Sequence, residues 1–170
     1  NAIYRIYSMT KPIISVLALQ LIEQGSFSLT DPISDYDERF SAMTVLHANG
    51  EIEPANTLIT IEHLLTHRAG FTYEFIMGCH ISPYYREAEI MSDVERDLDG
   101  MMDALCELPL AFHPGSAWRY SVSTDVLAHI IQKATGKSIH ALLEKMIFLP
   151  LKMQDTKYNL APKDLPRLMS

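Results

Sequence analysis

The chain has 170 residues, is 48% hydrophobic and 21% charged, and carries 21 acidic against 14 basic residues for a formal net charge of −7. That length suits one domain with a real core, the apolar share excludes compositional disorder, and an acidic balance without a basic stripe argues against nucleic-acid binding. Cys79 and Cys106 are too few for a disulfide framework and lack Cys-x-x-Cys spacing, so both read as free thiols.

Ser8-Met9-Thr10-Lys11 comes first, followed by Pro12 and an apolar run over residues 13–22. Proline is tolerated in a first helical turn, so Ser8 is expected at a helix start, where the dipole favours developing negative charge. Residues three apart share a helix face, which brings the Ser8 hydroxyl and the Lys11 amine within reach of each other. A lysine desolvated by apolar neighbours loses part of its preference for the charged form and can take a serine proton. The pair therefore reads as nucleophile and base, although the same spacing alone is commoner in a solvated helix turn. Ile13, Ile14, Val16, Leu17, Leu19, Leu21 and Ile22 point all round the helix and predict full burial up to a stop at Gly25. The run is too short and too polar for a membrane span.

Residues 56–60 read as a short extended piece, with Thr60 capping a helix that runs through Glu62 and Leu65 toward Gly70. His63 and His67 lie four apart on it, but a third ligand and the glutamate of His-Glu-x-x-His are missing. No metal is assigned; one histidine is expected to be packed and the other bonded to backbone near Gly70. Residues 71–91 show no period and gather Tyr73, Phe75, Tyr84 and Tyr85, which suits either a pocket wall or an aromatic-anchored surface loop. Ser92-Asp93-Val94-Glu95 reads as a capping box opening a helix with Val94, Leu98, Met101, Met102 and Leu105 toward the core.

Tyr120-Ser121-Val122-Ser123 follows a turn-rich approach through His113-Pro114-Gly115. The Tyr120 phenol offers an acid or base whose ionised form a cation such as Lys11 would favour; a packed tyrosine with a satisfied hydroxyl is the alternative. A helix over 124–135 carries Val126, Leu127, Ile130 and Ile131 on one side, Gly136 supplies a left-handed cap, and Ser138 starts a last helix toward Met146.

In this order the segments resemble the serine β-lactamase and penicillin-binding-protein superfamily, and within it the class C and family VIII carboxylesterase branches. Besides Ser8-x-x-Lys11 and Tyr120-x-Ser123, the resemblance rests on Gly25-Ser26-Phe27-Ser28-Leu29-Thr30-Asp31-Pro32, on Leu64-Leu65-Thr66-His67-Arg68-Ala69-Gly70 and on Ile147-Phe148-Leu149-Pro150-Leu151. It implies an α+β, β-lactamase/transpeptidase-like fold, with this chain forming mostly the helical region and much of the central antiparallel sheet missing. Residues 1–170 would then be a single partial domain lacking N-terminal and C-terminal sheet strands. The resemblance further implies Ser8 as acylated nucleophile, Lys11 and Tyr120 as its proton network, Ser123 and Tyr7 at the substrate, and neither metal nor cofactor.

Ser123 stands where β-lactamases of this branch usually carry asparagine, which exchanges an amide for a shorter hydroxyl and favours carboxylic esters of small or medium acyl chains over lactams. The family's third motif, a Lys/His/Trp-x-Gly strand that also supplies an oxyanion-hole N–H, has no counterpart after Tyr120, and the isolated chain is expected to be almost inactive. A β-lactamase or D-alanyl-D-alanine peptidase is the second reading, and a non-catalytic ligand-binding module of the same fold is the third. The expected partner is a small ester or amide. Apolar faces left by the absent sheet would favour self-association of the piece, and the branch resemblance leans toward the cytoplasm.

Overall fold

The computed structural model describes residues 2–92 and 96–169. Helices dominate it, with four short strands in two-stranded pairs. β1 (Ile3–Tyr4) leads into a 3-10 turn at Tyr7–Met9 that runs straight into α1 (Thr10–Glu23). Pro12 falls in the first turn, where its missing N–H leaves no gap. Ile14, Leu17, Ala18 and Leu21 are buried, while Val16 and Leu19 are each 48% exposed. The all-round burial expected of this helix is therefore corrected to a stripe at helical spacing: what decides burial is which face meets a neighbour, not how apolar the segment is.

β2 (Thr44–Leu46) and β3 (Ile52–Pro54) form an antiparallel hairpin with Val45 opposite Glu53. Strands of three residues hold too few alternations to be seen in sequence. In α2 (Ile61–Leu65) the Thr60 hydroxyl accepts from the His63 N–H at 3.3 Å while His63 Nδ1 accepts from the Thr60 N–H at 3.2 Å, a reciprocal cap. α2 stops at Leu65, short of the predicted run to Gly70, because His67 takes a left-handed φ of 56° and turns the chain away. Gly70 has its own reason to be glycine. Its φ is 96°, and a Cβ there would lie 2.5 Å from the Phe112 carbonyl oxygen and 2.9 Å from Leu110 Cβ.

Within residues 71–91 a short helix does form, α3 (Ser82–Glu87), with Tyr85 fully enclosed. α4 (Leu98–Cys106) is capped by Asp97, whose carboxylate accepts from the Gly100 N–H at 2.8 Å. The capping box expected at 92–95 involves Asp93, Val94 and Glu95, which lie outside the described residues. Met102 and Leu105 are buried as their spacing predicts.

α5 (Ser123–Thr135) is the central helix, packing against α1, α2, α4 and α6 (Ile139–Leu143). Val126, Leu127, Ile130 and Ile131 are fully buried, and so is His129, so the predicted apolar side is only part of an enclosed surface. Gly136 closes α5 at φ 66°, Ser138 caps α6, and a π-helical turn at Glu144–Phe148 carries the chain on to β4 (Leu168–Met169), which pairs in parallel with β1.

One ion cluster is built into this core. His129 Nε2 meets Asp37 Oδ2 at 2.7 Å, and Arg39 Nη2 reaches Asp37 at 2.6 Å and Asp99 at 2.8 Å, with Asp103 on its other nitrogen. Burial pushes the Asp37 carboxyl up, but Arg39 and His129 outweigh it and hold it well below the ordinary carboxylate range. Cys79 and Cys106 are free thiols. Among the described residues no helix is long and apolar enough to cross a membrane.

Candidate active site

The site begins where α1 begins. Tyr7 holds a left-handed φ of 44°, and Ser8 sits exposed in the turn that follows it, one helical turn before Lys11. Two other segments are brought to that helix end by backbone hydrogen bonds between them. The N–H groups of Ala111 and Gly115 reach the carbonyls of Gly70 and Arg68 at 2.8 Å each. Arg119 N–H reaches His67 O at 2.9 Å, and Val122 N–H reaches Thr72 O at 3.4 Å. Tyr120 lies between the last two bonds, and Tyr73 follows Thr72. Their rings meet at 5.4 Å, and Tyr73 in turn stacks on Phe75 at 4.8 Å with 14° between planes.

Lys11 enters this aromatic group from α1, its Nζ 5.2 Å from the Tyr120 ring centre and 5.3 Å from that of Tyr73. A cavity of about 420 Å³ opens beside it, walled by Ser8, Lys11, Tyr73, Phe75, Met91 and Asp125. Residues 71–91 thus contribute pocket wall through Tyr73, Phe75 and Met91 as well as buried anchors such as Tyr85. A larger space of about 700 Å³ lies between the chain ends and α6, and neither Ser8 nor Lys11 borders it.

The electrostatics differ from what the sequence led us to expect for Lys11. Burial does pull its pKa down, but the Tyr73 hydroxyl, Asp125 and Tyr120 together outweigh burial and leave it above the ordinary lysine value. Lys11 is therefore an ammonium at neutral pH. Burial also raises the Asp125 carboxyl, with the charge of Lys11 opposing that rise, and pushes the Tyr73 phenol up to about 12. His67 is lowered by burial and then by the charge of Lys11, so it stays neutral.

Ser8, Lys11 and Tyr7, which is 77% exposed, border one cavity, while Tyr120 lies outside its wall and meets the group through Lys11, whose ammonium is 5.2 Å from the Tyr120 ring centre. Ser123 does not border it. Its hydroxyl is fully buried, 2.7 Å from Ser121 Oγ, which in turn lies 3.3 Å from His67 Nδ1. In this structure that row of side chains braces the Tyr120 loop from behind. Sequence reading missed Tyr73, Asp125 and His67 as neighbours of Lys11. Asp125 had a bland explanation ready, since an acidic residue in a first helical turn suits the dipole.

His63 and His67 do not converge: one is spent on the α2 cap, the other on Ser121. His47, Glu53 and His113 do converge, with Glu53 Oε1 2.7 Å from His47 Nε2 and 3.0 Å from His113 Nε2. The Asn56 N–H, however, donates to His113 Nδ1 at 3.3 Å, which leaves the imidazole proton on Nε2, pointing at the carboxylate where a metal would need a lone pair.

A serine at a helix start, a lysine one turn on and a tyrosine from the loop before the central helix are the arrangement to set beside known proteins. The Beta-lactamase family model matches residues 1–170, and the chain belongs to that family. It is 34% identical over 158 residues to Esterase EstB of Burkholderia gladioli, covering 91% of this chain and 38% of that protein. Among solved structures, EstCE1, a hydrolase with promiscuous acyltransferase activity, superposes with a TM-score of 0.80 at 27% identity over 97% of this chain and 41% of its own. Simvastatin synthase (LovD) of Aspergillus terreus gives 0.77 at 27% identity over 99% and 42%. The fold is therefore β-lactamase/transpeptidase-like, represented here by a helix-rich part with little sheet, and the chain spans about two fifths of the length of these relatives.

Proposed function

We propose that the protein carrying this chain is a serine hydrolase that works through an acyl-enzyme, most readily as a carboxylesterase on small or medium acyl esters. The observation that supports the reading is that Ser8 and Lys11 wall one cavity, with the Lys11 ammonium 5.2 Å from the centre of the Tyr120 ring behind it. An ammonium cannot accept a proton, so Lys11 supplies charge that favours the phenolate form of Tyr120, and that phenolate oxygen takes the Ser8 proton to become a phenol. Ser8 Oγ then bonds to the substrate carbonyl carbon, the ester C–O bond breaks, and the departing alcohol leaves with the proton held on Tyr120. Water attacks the acyl-serine in the second half, giving up a proton by the same route, and releases the carboxylic acid as Ser8 recovers its hydrogen.

Phe75 and Met91 give the cavity an apolar wall suited to an acyl chain. An alcohol can replace water in the second step, and the relatives named as an esterase and as a hydrolase with acyltransferase activity fit that choice. With Ser123 turned inward there is no polar side chain at that position to hold a lactam carbonyl, so β-lactam or D-alanyl peptide cleavage is the weaker reading.

The test is intact mass after brief exposure of the natural protein to a fluorophosphonate probe. One adduct, absent in Ser8→Ala, is the expected result; a folded protein that takes no label supports the non-catalytic binding module instead. Lys11→Ala is expected to lose labelling as thoroughly as Ser8→Ala. Hydrolysis of p-nitrophenyl butyrate should greatly exceed that of nitrocefin, and the isolated 170-residue chain should turn over neither at ordinary enzyme rates.

A further inference from the structure

We propose that Asp125 and Tyr73 are positioning residues for Lys11, the carboxylate and the hydroxyl together holding its ammonium between the Tyr73 and Tyr120 rings at the wall it shares with Ser8. The inference deepens the acyl-transfer reading and rests on it. Its geometry comes from separate elements: Lys11 from α1, Tyr73 from the segment after Gly70, Asp125 from the first turn of α5, all on one cavity.

Asp125 is an unusual carboxylate for this molecule. Among the described residues it has no cationic side chain in direct contact, and the positive charge acting on it is that of Lys11. Burial opposes its ionised form and outweighs the help of its own backbone N–H at the helix start; what the charge accomplishes is to favour the Lys11 ammonium. Tyr73 works from the other side. It is 4% exposed, its ring is fixed by stacking on Phe75, and its hydroxyl is the partner that does most to keep Lys11 charged.

The groups facing Lys11 are then accounted for: Tyr73, Asp125, Tyr120, and His67 from the turn after α2, which stays neutral and does not compete for the carboxylate. If the ammonium is what stabilises the charge left on Tyr120 after it gives up its proton, then losing either support should let Lys11 deprotonate at lower pH. The alkaline limb of the rate profile should follow.

The experiment is a pH titration of the natural protein labelled with 13C-lysine, the Lys11 resonance being assigned by its loss in Lys11→Met, run beside the pH profile of fluorophosphonate labelling. Asp125→Asn and Tyr73→Phe keep shape and stacking while removing charge or hydroxyl. Each is expected to lower the Lys11 midpoint and the alkaline limb of labelling together by about one pH unit, with Asp125→Glu restoring most of both. An unmoved Lys11 midpoint in both variants overturns the proposal, as does a shift of the acid limb in place of the alkaline one. Failure of the acyl-transfer reading looks different: Lys11 titrates as described while wild-type protein takes no label at Ser8.

Discussion

Helix α5 carries two acidic–basic clusters one helical turn apart, and they are built on opposite principles. At His129 the cluster closes on itself, with Asp37 meeting His129 and Arg39, and Arg39 also meeting Asp99 and Asp103. Four residues earlier, Asp125 faces a cavity, acted on by an ammonium that is itself shared with two phenol rings. The first arrangement satisfies buried charge and fixes the packing of α4 and residues 37–40 onto α5. The second leaves charge imperfectly matched where a reacting group can use it. Perturbed acids in and around one helix thus sort by whether their partners are complete.

Breaking the closed cluster should have the largest effect on stability. Asp37→Ala leaves His129 without its carboxylate partner and Arg39 with Asp99 and Asp103 alone, and is expected to cost about 3 kcal/mol in denaturant unfolding, with no loss of labelling at Ser8 in the protein that remains folded. The sign of its pH dependence follows from Asp37 being held below its unfolded value of 3.8. Its stabilisation is present above that value and is lost as pH falls through it, so the unfolding midpoint should drop below about pH 4 in wild type and flatten in Asp37→Ala.

Gly70→Ala tests the bracing that lies between the two clusters. A Cβ 2.5 Å from the Phe112 carbonyl forces residues 70 and 110–112 apart, at a cost of about 2 kcal/mol or more, and should also slow labelling by disturbing the Tyr73–Tyr120 contact. Gly136→Ala, at a left-handed position with open space around it, should cost only about 1 kcal/mol and leave labelling unchanged. Asp125→Asn should be the mildest for stability. Burial raises the Asp125 pKa, so wild type loses stability as pH rises through the unfolded carboxylate value, and at pH 7 the variant should melt no lower than wild type.

The difference between the clusters also marks what could be read in the chain beforehand. Ser8, Lys11 and Tyr120 stand in short motifs, and α5, its Gly136 stop and the Thr60 cap follow local rules. Tyr73 reaches Lys11 through the side-by-side bonding of segments 67–72 and 110–122, and Asp125 comes to the same cavity because α5 packs on α1, long-range pairings with no local period to reveal them. The same holds for the Asp37–His129 contact and for the β2–β3 hairpin. Ser123 shows the converse limit: position beside Tyr120 in sequence says nothing of which way a side chain at a helix start will turn, and here it turns inward. The charge state expected of Lys11 failed for a related reason, since apolar neighbours along the chain were visible and the phenol and carboxylate across the fold were not.

Tyr7 bears on how such a site can vary over evolutionary time. A tyrosine at φ 44° carries a backbone penalty that glycine there would not, yet its ring borders the cavity. Drift toward glycine or asparagine at this one position would relax the turn that carries Ser8 while removing a piece of cavity wall, so a library randomised at residue 7 alone should separate fold stability from the size of ligand the cavity admits.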